Sequence, residues 1–182
     1  MLSFFAIDVY FCVSGHVSLR QAKLHIMEQL SLPPYAINVR EHRGRTQIYD
    51  VLRRRYVALT PEEWVRQHFV HYLAGHLGYP LSLMGNEVRI SIGAKQLRAD
   101  TVVYNRQLQP EVVVEYKAPT IALTRKVFDQ VADYNQQLHV RCLMLSNGMQ
   151  HMCFLLDTHS MTYRQLKDIP TYEQLKRLID NG

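Results

Sequence analysis

The residues with the clearest capacity for chemistry lie in the segment RADTVVYNRQLQPEVVVEYKAP, at positions 98–119. Two runs of β-forming residues, 102–104 and 112–114, flank a stretch of turn residues and predict a β-hairpin. Symmetric closure of this hairpin opposes Tyr104 with Glu111, Val102 with Val113, and Asp100 with Glu115. Opposed residues of an antiparallel pair share a face at about 5 Å, and Lys117 returns to that face because the strand period is two. The spacing therefore predicts two carboxylates and one ammonium group in a single patch.

Two carboxylates in one patch repel each other unless a cation lies between them or one takes up a proton. Mg²⁺ would resolve this conflict, because it prefers hard oxygen ligands such as carboxylates, waters and phosphate oxygens. The backbone carbonyl of Tyr116, between Glu115 and Lys117, would complete the protein's share of the ligands. A bound metal polarises a phosphate and lowers the pKa of a bound water, while Lys117 would position or deprotonate the attacking water. The predicted reaction is phosphodiester hydrolysis.

The pair formed by Glu115 and Lys117 has an alternative interpretation as a solvated ion pair on a strand. Taken alone, the triplet is weak evidence, because a chain with 16 acidic residues contains such spacings by chance. Two further features favour a site. Asp100 stands at the matching position upstream, and the run 112–114 is continuously apolar, as in a strand covered on both faces. A carboxylate at the end of a buried strand usually has a partner or a task.

The segments around this patch resemble the PD-(D/E)xK nuclease superfamily, and more closely the N-terminal nuclease domain of the R subunit of type I restriction enzymes. The resemblance extends over residues 32–156. It rests on the segments LTPEEWVRQHFVHYL, GYPLSL, RADTVVYN, VVVEYKAP, FDQVADYN and SNGMQH. It implies a restriction-endonuclease-like fold, a DNA substrate, and Mg²⁺ or Mn²⁺ as the cofactor.

The resemblance also implies roles for individual residues. Asp100 and Glu115 would bind the metal, and Lys117 would serve catalysis. The residue before the aspartate is alanine where the family often has proline, a mild departure because proline is not a ligand. In the subgroup that this chain resembles, a glutamine and a tyrosine one helical turn apart follow the core, and Gln130 and Tyr134 match that pattern. Their i, i+4 spacing sets them on neighbouring positions of one helix face.

A helix is predicted to begin after Thr60, which is typical of an N-cap, with Pro61 at the first helical position. Glu63 occupies the capping-box position of this helix. Many relatives carry a glutamate on the corresponding helix that approaches the metal, so Glu63 has both a capping and a catalytic interpretation. Glu62 and Glu87 are lesser candidates for the catalytic role.

The order of predicted elements indicates an α/β fold. The resemblance implies that this fold is a restriction-endonuclease-like core: helix, three-stranded antiparallel meander, helix and further strands in one mixed sheet flanked by helices. The first helix has an apolar core face made of Val65, Phe69, Tyr72 and Leu73. The other predicted elements are strands near 87–92, 101–104, 112–116, 142–145 and 152–156, and helices near 124–138 and 172–179. The last two strands flank an Asn147–Gly148 turn.

Basic residues are concentrated before the first predicted helix. The net charge is +5, and 15 of the 21 basic residues are arginines. A basic hairpin is predicted at 35–57, around Arg43–Gly44. Because the guanidinium fork matches phosphate geometry, this hairpin supplies the candidate contacts with a nucleic-acid backbone: Arg43, Arg45, Arg53, Arg54 and Arg55. The alternative is a solvated hairpin, since a modest positive charge is also common in proteins that bind no nucleic acid.

The predicted domain organisation is an N-terminal extension, 1–31, followed by one nuclease-like domain, 32–182. Apolar spacing within 18–30 indicates an amphipathic helix, and residues 1–26 are expected to be dispensable for the fold. Asp8 and the lack of a basic start argue against a signal peptide, and the apolar run is too short to span a bilayer. Three cysteines without C-x-x-C spacing argue against a zinc site and indicate a reducing, cytoplasmic compartment.

Two classes of function remain open. The favoured one is a divalent-metal-dependent DNA endonuclease of the restriction type, because Asp100, Glu115 and Lys117 are all present. The alternative is a non-catalytic module on the same fold that binds nucleic acid or docks a partner. The sequence contains no G-x-x-x-x-G-K-[ST] motif, so a motor or specificity function would come from a separate protein. No membrane contact is expected, and the oligomeric state is not indicated.

Overall fold

The computed structural model describes residues 27–92 and 95–181. In these ranges the strands are β1 Val39–His42, β2 Arg45–Asp50, β3 Arg55–Ala58, β4 Met84–Ile92, β5 Lys95–Tyr104, β6 Pro110–Tyr116, β7 Cys142–Ser146, β8 His151–Asp157 and β9 Thr162–Leu166. The helices are α1 Pro61–Gly75, α2 Arg125–Leu138 and α3 Tyr172–Asp180, with a 3-10 turn at Leu81–Leu83. None of the described helices is long and apolar enough to cross a membrane.

The main sheet is mixed and has six strands in the order β4-β5-β6-β7-β8-β9. Only β6 and β7 pair in parallel within it, and α2 forms the crossover between them. Val112 and Val114 of β6 pack with α1 and α3 on one face, whereas Val113 packs with Val131 of α2 on the other. The sheet is thus covered by helices on both faces, which confirms the predicted α/β fold and explains the continuous apolar run in β6.

The hairpin of β5 and β6 forms close to the predicted register. Val102 pairs with Val113 as expected, and the ladder continues to Thr101 and Val114. The predicted pairing of Tyr104 with Glu111 is wrong, because a bulge after Val103 pairs Tyr104 with Pro110 instead. The side chain of Asn105 accepts hydrogen bonds from the amides of Gln107 and Gln109 and closes the turn one residue earlier on the β6 side. Because the bulge lies at the turn, the register at the far end of the hairpin is unaffected.

Helix α1 begins as predicted but lacks a complete capping box. The Thr60 hydroxyl accepts from the Glu63 amide at 3.1 Å, and Pro61 occupies the first turn. The Glu63 side chain does not return to the Thr60 amide, because it is engaged by basic and amide groups described below. The predicted core face is correct: Val65, Phe69 and Leu73 are fully buried and Tyr72 is partly buried.

The predicted basic hairpin is a three-stranded antiparallel sheet, β1-β2-β3, separate from the main sheet. The second arm of the predicted hairpin, 47–57, is divided into β2 and β3, because the Asp50 carboxylate accepts hydrogen bonds from the amides of Leu52 and Arg53 and turns the chain. Ile48 of β2 and Trp64 of α1 share a small apolar cluster that holds this sheet against the helix.

The C-terminal part of the chain contains one strand that the sequence did not predict and one helix that it did. Strand β9 was not predicted, since the sequence TYRQL has no continuous apolar run. Helix α3 is confirmed.

Residues 27–30, at the end of the predicted helix 18–30, are not helical. Trp64 donates to the Glu28 carbonyl and Ser31 donates to the Gly148 carbonyl, so this end of the predicted extension contacts the main body. Residues 1–26, with their predicted helix and dispensability, lie outside the described residues.

Gly148 turns the chain between β7 and β8 in a crowded place. It has φ of +81°, and a Cβ added there would lie 2.6 Å from Leu30 Cδ2 and 3.1 Å from Val65 Cγ2. Gly44 has a similar φ of +72° but nothing within 4 Å of such a Cβ. The two glycines therefore share the conformational requirement, and only Gly148 adds a steric one.

We expect Gly148→Ala to destabilise the protein more than Gly44→Ala does. Both variants carry the cost of a left-handed alanine, about 1 kcal/mol, and Gly148→Ala adds overpacking of about 1 kcal/mol or more. Urea titrations of both variants measure the difference. Equal midpoints would show that Leu30 moves aside at no cost and that the 27–31 segment is not packed as described.

Candidate active site

Asp100 lies in the middle of β5 and Glu115 lies near the end of β6, each one position beyond Thr101 and Val114, the last residue pair that joins these two strands. The Asp100 carboxylate is fixed at both oxygens. Oδ2 accepts from the backbone amide of Tyr116 at 2.9 Å, and Oδ1 accepts from Nη2 of Arg66 at 2.7 Å. The Tyr116 bond crosses the hairpin, so it ties Asp100 to the strand that carries Glu115. The predicted patch of two carboxylates is therefore present at this end of the sheet.

Lys117 joins the patch through Glu115. Its Nζ donates to Glu115 Oε1 at 2.8 Å, and its backbone amide donates to the carbonyl of Ser146 on the neighbouring strand β7. The two side chains are only 23% and 15% exposed, so the ion pair is not the freely solvated one of the alternative interpretation. The sequence reasoning placed all three groups together correctly.

Burial and the nearby negative charge of Asp100 raise the pKa of the Glu115 carboxyl, and Lys117 only partly offsets this rise. For Lys117, burial acts to lower the pKa, but the contacts with Glu115 and the charge of Asp100 prevail and raise it. The ammonium therefore stays protonated. Each carboxylate has one cationic partner, Arg66 for Asp100 and Lys117 for Glu115, and a further cation beside them would favour the ionised form of Glu115.

Arg66 is the main site residue that the sequence reasoning missed. It is 5% exposed and extends from α1 to three carboxylates. Nη1 contacts Glu63 at 2.7 Å, and Nη2 contacts Glu87 at 2.8 Å and Asp100 at 2.7 Å. Its side chain also lies over the Tyr116 ring, with Cζ 5.7 Å from the ring centroid. The available signal was the i, i+3 spacing from Glu63, which puts both residues on one helix face.

Glu87, a lesser candidate in the sequence, reaches the same guanidinium by an unusual backbone conformation. It has φ of +56° inside β4, and the ladder skips it between Asn86 and Val88. Its other carboxylate oxygen contacts Arg98 Nε at 2.7 Å. A left-handed non-glycine residue costs of order 1 kcal/mol or more and persists only where the surroundings impose it. Here the conformation brings a third carboxylate next to Asp100.

Glu63 and Arg53 form the support beneath Arg66. The Glu63 carboxylate accepts from Arg53 Nη2 at 2.8 and 2.9 Å, from Arg66 Nη1, and from Gln67 Nε2 at 2.7 Å. Arg53 also pairs with Asp50, which is fully buried. Arg53, predicted to contact nucleic acid, instead pairs with two internal carboxylates in this structure, and its side chain is only 16% exposed.

The remaining predicted contacts with nucleic acid are on the surface. Arg54 and Arg55 are exposed at the start of β3, and Arg43 and Arg45 are exposed at the turn between β1 and β2. Sequence reasoning grouped Arg53 with its two neighbours because it cannot distinguish adjacent arginines in a turn. The structure separates them through the Asp50 turn, which points Arg53 inward to Glu63.

Gln130 and Tyr134 both lie in α2, which packs on the face of the sheet that carries Val113. By the two-residue period of β6, Glu115 belongs to that same face. Gln130 is exposed, and the backbone alone is described for Tyr134. Helix α2 therefore lies on the face of the sheet that carries Glu115, and the roles of Gln130 and Tyr134 stay predictions.

The histidine pair of α1 has an aromatic environment instead of an acidic one. His71 stacks on Tyr35 with ring centroids 3.9 Å apart, and His68 meets the same ring edge-on at 4.8 Å. Burial lowers the pKa of His68 to about 4, although its contact with the Trp64 carbonyl opposes that shift. Among the described residues, no group of three or more His, Cys, Asp or Glu side chains has the arrangement of a preformed metal cage. A metal here would depend on two carboxylates, backbone carbonyl and water.

The raised pKa of Glu115 leads to a prediction about the metal-free protein. Because the folded pKa lies above the ordinary value of 4.5, ionisation of Glu115 disfavours the folded state as pH rises through that range. In EDTA, we expect Glu115→Gln to be more stable than the wild type at pH 7, with the difference shrinking toward pH 4. Thermal melts across that range test this, with Glu173→Gln as an exposed control. A variant that is less stable at pH 7 would contradict it and show that the Lys117 pair dominates.

Comparison with known proteins places this geometry in a family. No match was found among curated proteins. The fragment structure of a putative HsdR subunit of a type I restriction enzyme from Vibrio vulnificus YJ016 matches with a TM-score of 0.50 and 20% identity, covering 68% of this chain and 26% of that one. This chain thus spans about a quarter of that relative's length, and the likeness is one of fold. Residues 61–170 match the family described as Type I restriction enzyme R protein N terminus (HSDR_N). That match covers more than half of the chain, which therefore belongs to the family of type I restriction enzyme R protein N-termini.

Proposed function

We propose that this chain is a divalent-metal-dependent nuclease domain of the restriction type that hydrolyses phosphodiester bonds of DNA. The observation that carries the proposal is the convergence of Asp100, Glu115 and Lys117 where the pairing of β5 with β6 ends. Family membership supports a restriction-type role. DNA translocation and target selection are not assigned to these 182 residues, which contain no G-x-x-x-x-G-K-[ST] motif.

The donor atoms suit Mg²⁺ or Mn²⁺. Asp100 and Glu115 offer carboxylate oxygens and Tyr116 offers a backbone carbonyl, all of them hard ligands. Each Asp100 oxygen uses one hydrogen-bonding direction for Arg66 or for the Tyr116 amide, and a carboxylate oxygen has a second lone pair available. When bound, a divalent metal would supply Lewis acidity and lower the pKa of a coordinated water.

The chain's own groups would orient the reaction. Lys117, held against Glu115 and anchored by its amide to β7, presents a fixed positive charge beside the carboxylates. That charge is suited to position the attacking water and to offset negative charge that develops on the phosphate. Gln130 of α2 would contact the phosphate or the bound water, and Tyr134 is kept as a candidate only because it matches the family pattern. Substrate approach is favoured by the exposed arginines of the three-stranded sheet.

A specific observation favours a second function. Asp100 is already paired with an internal cation, Arg66, at 2.7 Å. A domain that retained the fold for binding nucleic acid or docking a partner, without cleavage, would need such an internal cation in place of a metal. Metal binding is therefore the property that separates the two candidates.

We expect cleavage of plasmid DNA in Mg²⁺ or Mn²⁺, none in EDTA, and at least a roughly 100-fold loss with Asp100→Asn, Glu115→Ala or Lys117→Met. Gel assays on plasmid and single-stranded DNA measure it. Glu173→Ala, an exposed acid on α3, is the matched control and should cleave normally. Metal binding that calorimetry finds unchanged in both carboxylate variants would refute the site, and metal-independent cleavage would refute the mechanism.

We also expect Arg54→Ala combined with Arg55→Ala to weaken DNA binding to a similar extent on unrelated sequences. Each lost phosphate contact should flatten the slope of log affinity against log salt by about 0.9. Fluorescence anisotropy at several salt concentrations gives this slope, and Arg125→Ala, an 83% exposed arginine on α2, is the control. An unaltered slope in the double variant would mean that the three-stranded sheet does not face the DNA backbone.

A further inference from the structure

Arg66 is the only cation described in contact with three carboxylates that come from three different elements. Glu63 belongs to α1, Glu87 to β4 and Asp100 to β5. Two of them share a single nitrogen: Nη2 lies 2.8 Å from Glu87 Oε1 and 2.7 Å from Asp100 Oδ1. One positive charge thus compensates two acids that would otherwise face each other at the edge of the proposed metal site.

The guanidinium of Arg66 is fixed through a second nitrogen, so it cannot move freely with Asp100. Nη1 is bound to Glu63, which is itself fixed by Arg53 and Gln67. Nε is buried and has no hydrogen-bond partner among the described residues. A side chain this enclosed and held at one end has a defined direction, and that direction is toward Asp100.

We propose that Arg66 is a positioning residue of the metal site, which acts through Asp100 as a resident counter-cation and sets the affinity for the divalent ion. This inference rests on the proposed function. In the metal-free protein, Arg66 holds Asp100 Oδ1 and prevents repulsion between Asp100 and Glu87. A divalent ion that binds Asp100 must do so beside this fixed positive charge, so Arg66 lowers the affinity for the metal.

The consequence for a neutral variant is definite in sign. Without the guanidinium, Asp100 loses its described ion-pair partner and Glu87 keeps only the exposed Arg98, so the metal-free protein is destabilised. The same change removes a positive charge from the neighbourhood of the incoming ion, so the metal binds more tightly. The metal would then take over the compensation that Arg66 provided, and binding would restore stability by linkage.

The test uses Mn²⁺ and three substitutions of Arg66. Arg66→Gln and Arg66→Met remove the charge, and the glutamine amide can still donate to one carboxylate. Arg66→Lys keeps the charge. Arg98→Gln is the control, because it removes a 68% exposed cation whose described ion pair is with Glu87. Thermal melts in EDTA and in Mn²⁺, and calorimetric titration with Mn²⁺, are measured for each protein; neither depends on cleavage.

We expect both neutral variants to melt below the wild type in EDTA and to bind Mn²⁺ at least tenfold more tightly. At saturating Mn²⁺, this tighter binding should make the rise in melting temperature from EDTA to Mn²⁺ larger than that of the wild type by about 3 °C or more. Arg66→Lys and Arg98→Gln should keep a wild-type Kd within about threefold.

Several results would overturn the inference. A neutral variant that binds Mn²⁺ no more tightly than the wild type would show that the charge of Arg66 does not set the affinity. The same conclusion would follow if Arg66→Lys bound Mn²⁺ as tightly as the neutral variants. Neutral variants that stay unfolded in Mn²⁺ as in EDTA would show a structural role alone. A wild type that binds no Mn²⁺ at all would instead refute the proposed metal site, and this inference with it, so the two failures are distinguishable.

Discussion

The rest of the site depends on the hydrogen bonds that the Glu63 carboxylate accepts. It accepts hydrogen bonds from Arg53, Arg66 and Gln67 while it is almost fully buried. Arg53 comes from the turn before β3, and Arg66 reaches to β5, so one side chain connects the small sheet, α1 and the main sheet. Hydrogen bonds of this kind are charge-assisted, and loss of one partner leaves the others buried and unpaired. The site is therefore fixed by a shared anion and not by apolar packing alone.

A second set of polar contacts also constrains the part of β5 that carries Asp100. Asn86 donates to Asp50 at 2.9 Å and accepts from the hydroxyl of Thr101, one residue after Asp100. Burial would raise the pKa of Asp50, but the hydrogen bonds from Arg53 and Asn86 outweigh it and lower that pKa. Asp50 thus stays ionised and continues to hold both donors. The position of Asp100 is consequently constrained from its own side chain and from its neighbour on the strand.

Sequence reasoning succeeded where the geometry is local. The two-residue period and the turn at Asn105 were sufficient to predict that Val102 faces Val113, and that register alone places Asp100 near Glu115. It failed for Arg66 because that residue is separated by 34 positions from Asp100, and the contact depends on how α1 lies across the sheet. The inward direction of Arg53 was missed for a similar reason. The periodicity of a sequence does not show which residues come into contact when they are far apart along the chain.

The balance of charge at this end of the sheet is costly for the folded protein. Glu87 is held in a strained conformation, Glu115 has a raised pKa, and Asp100 depends on a guanidinium that it shares with Glu87. Replacing such buried ionic groups by apolar ones is often neutral or stabilising, so stability does not account for their presence. Strain and perturbed carboxylates together are typical of sites that bind a ligand. A divalent cation beside Asp100 and Glu115 would relieve the repulsion that the internal cations leave, which ties the energetic defect to the proposed chemistry.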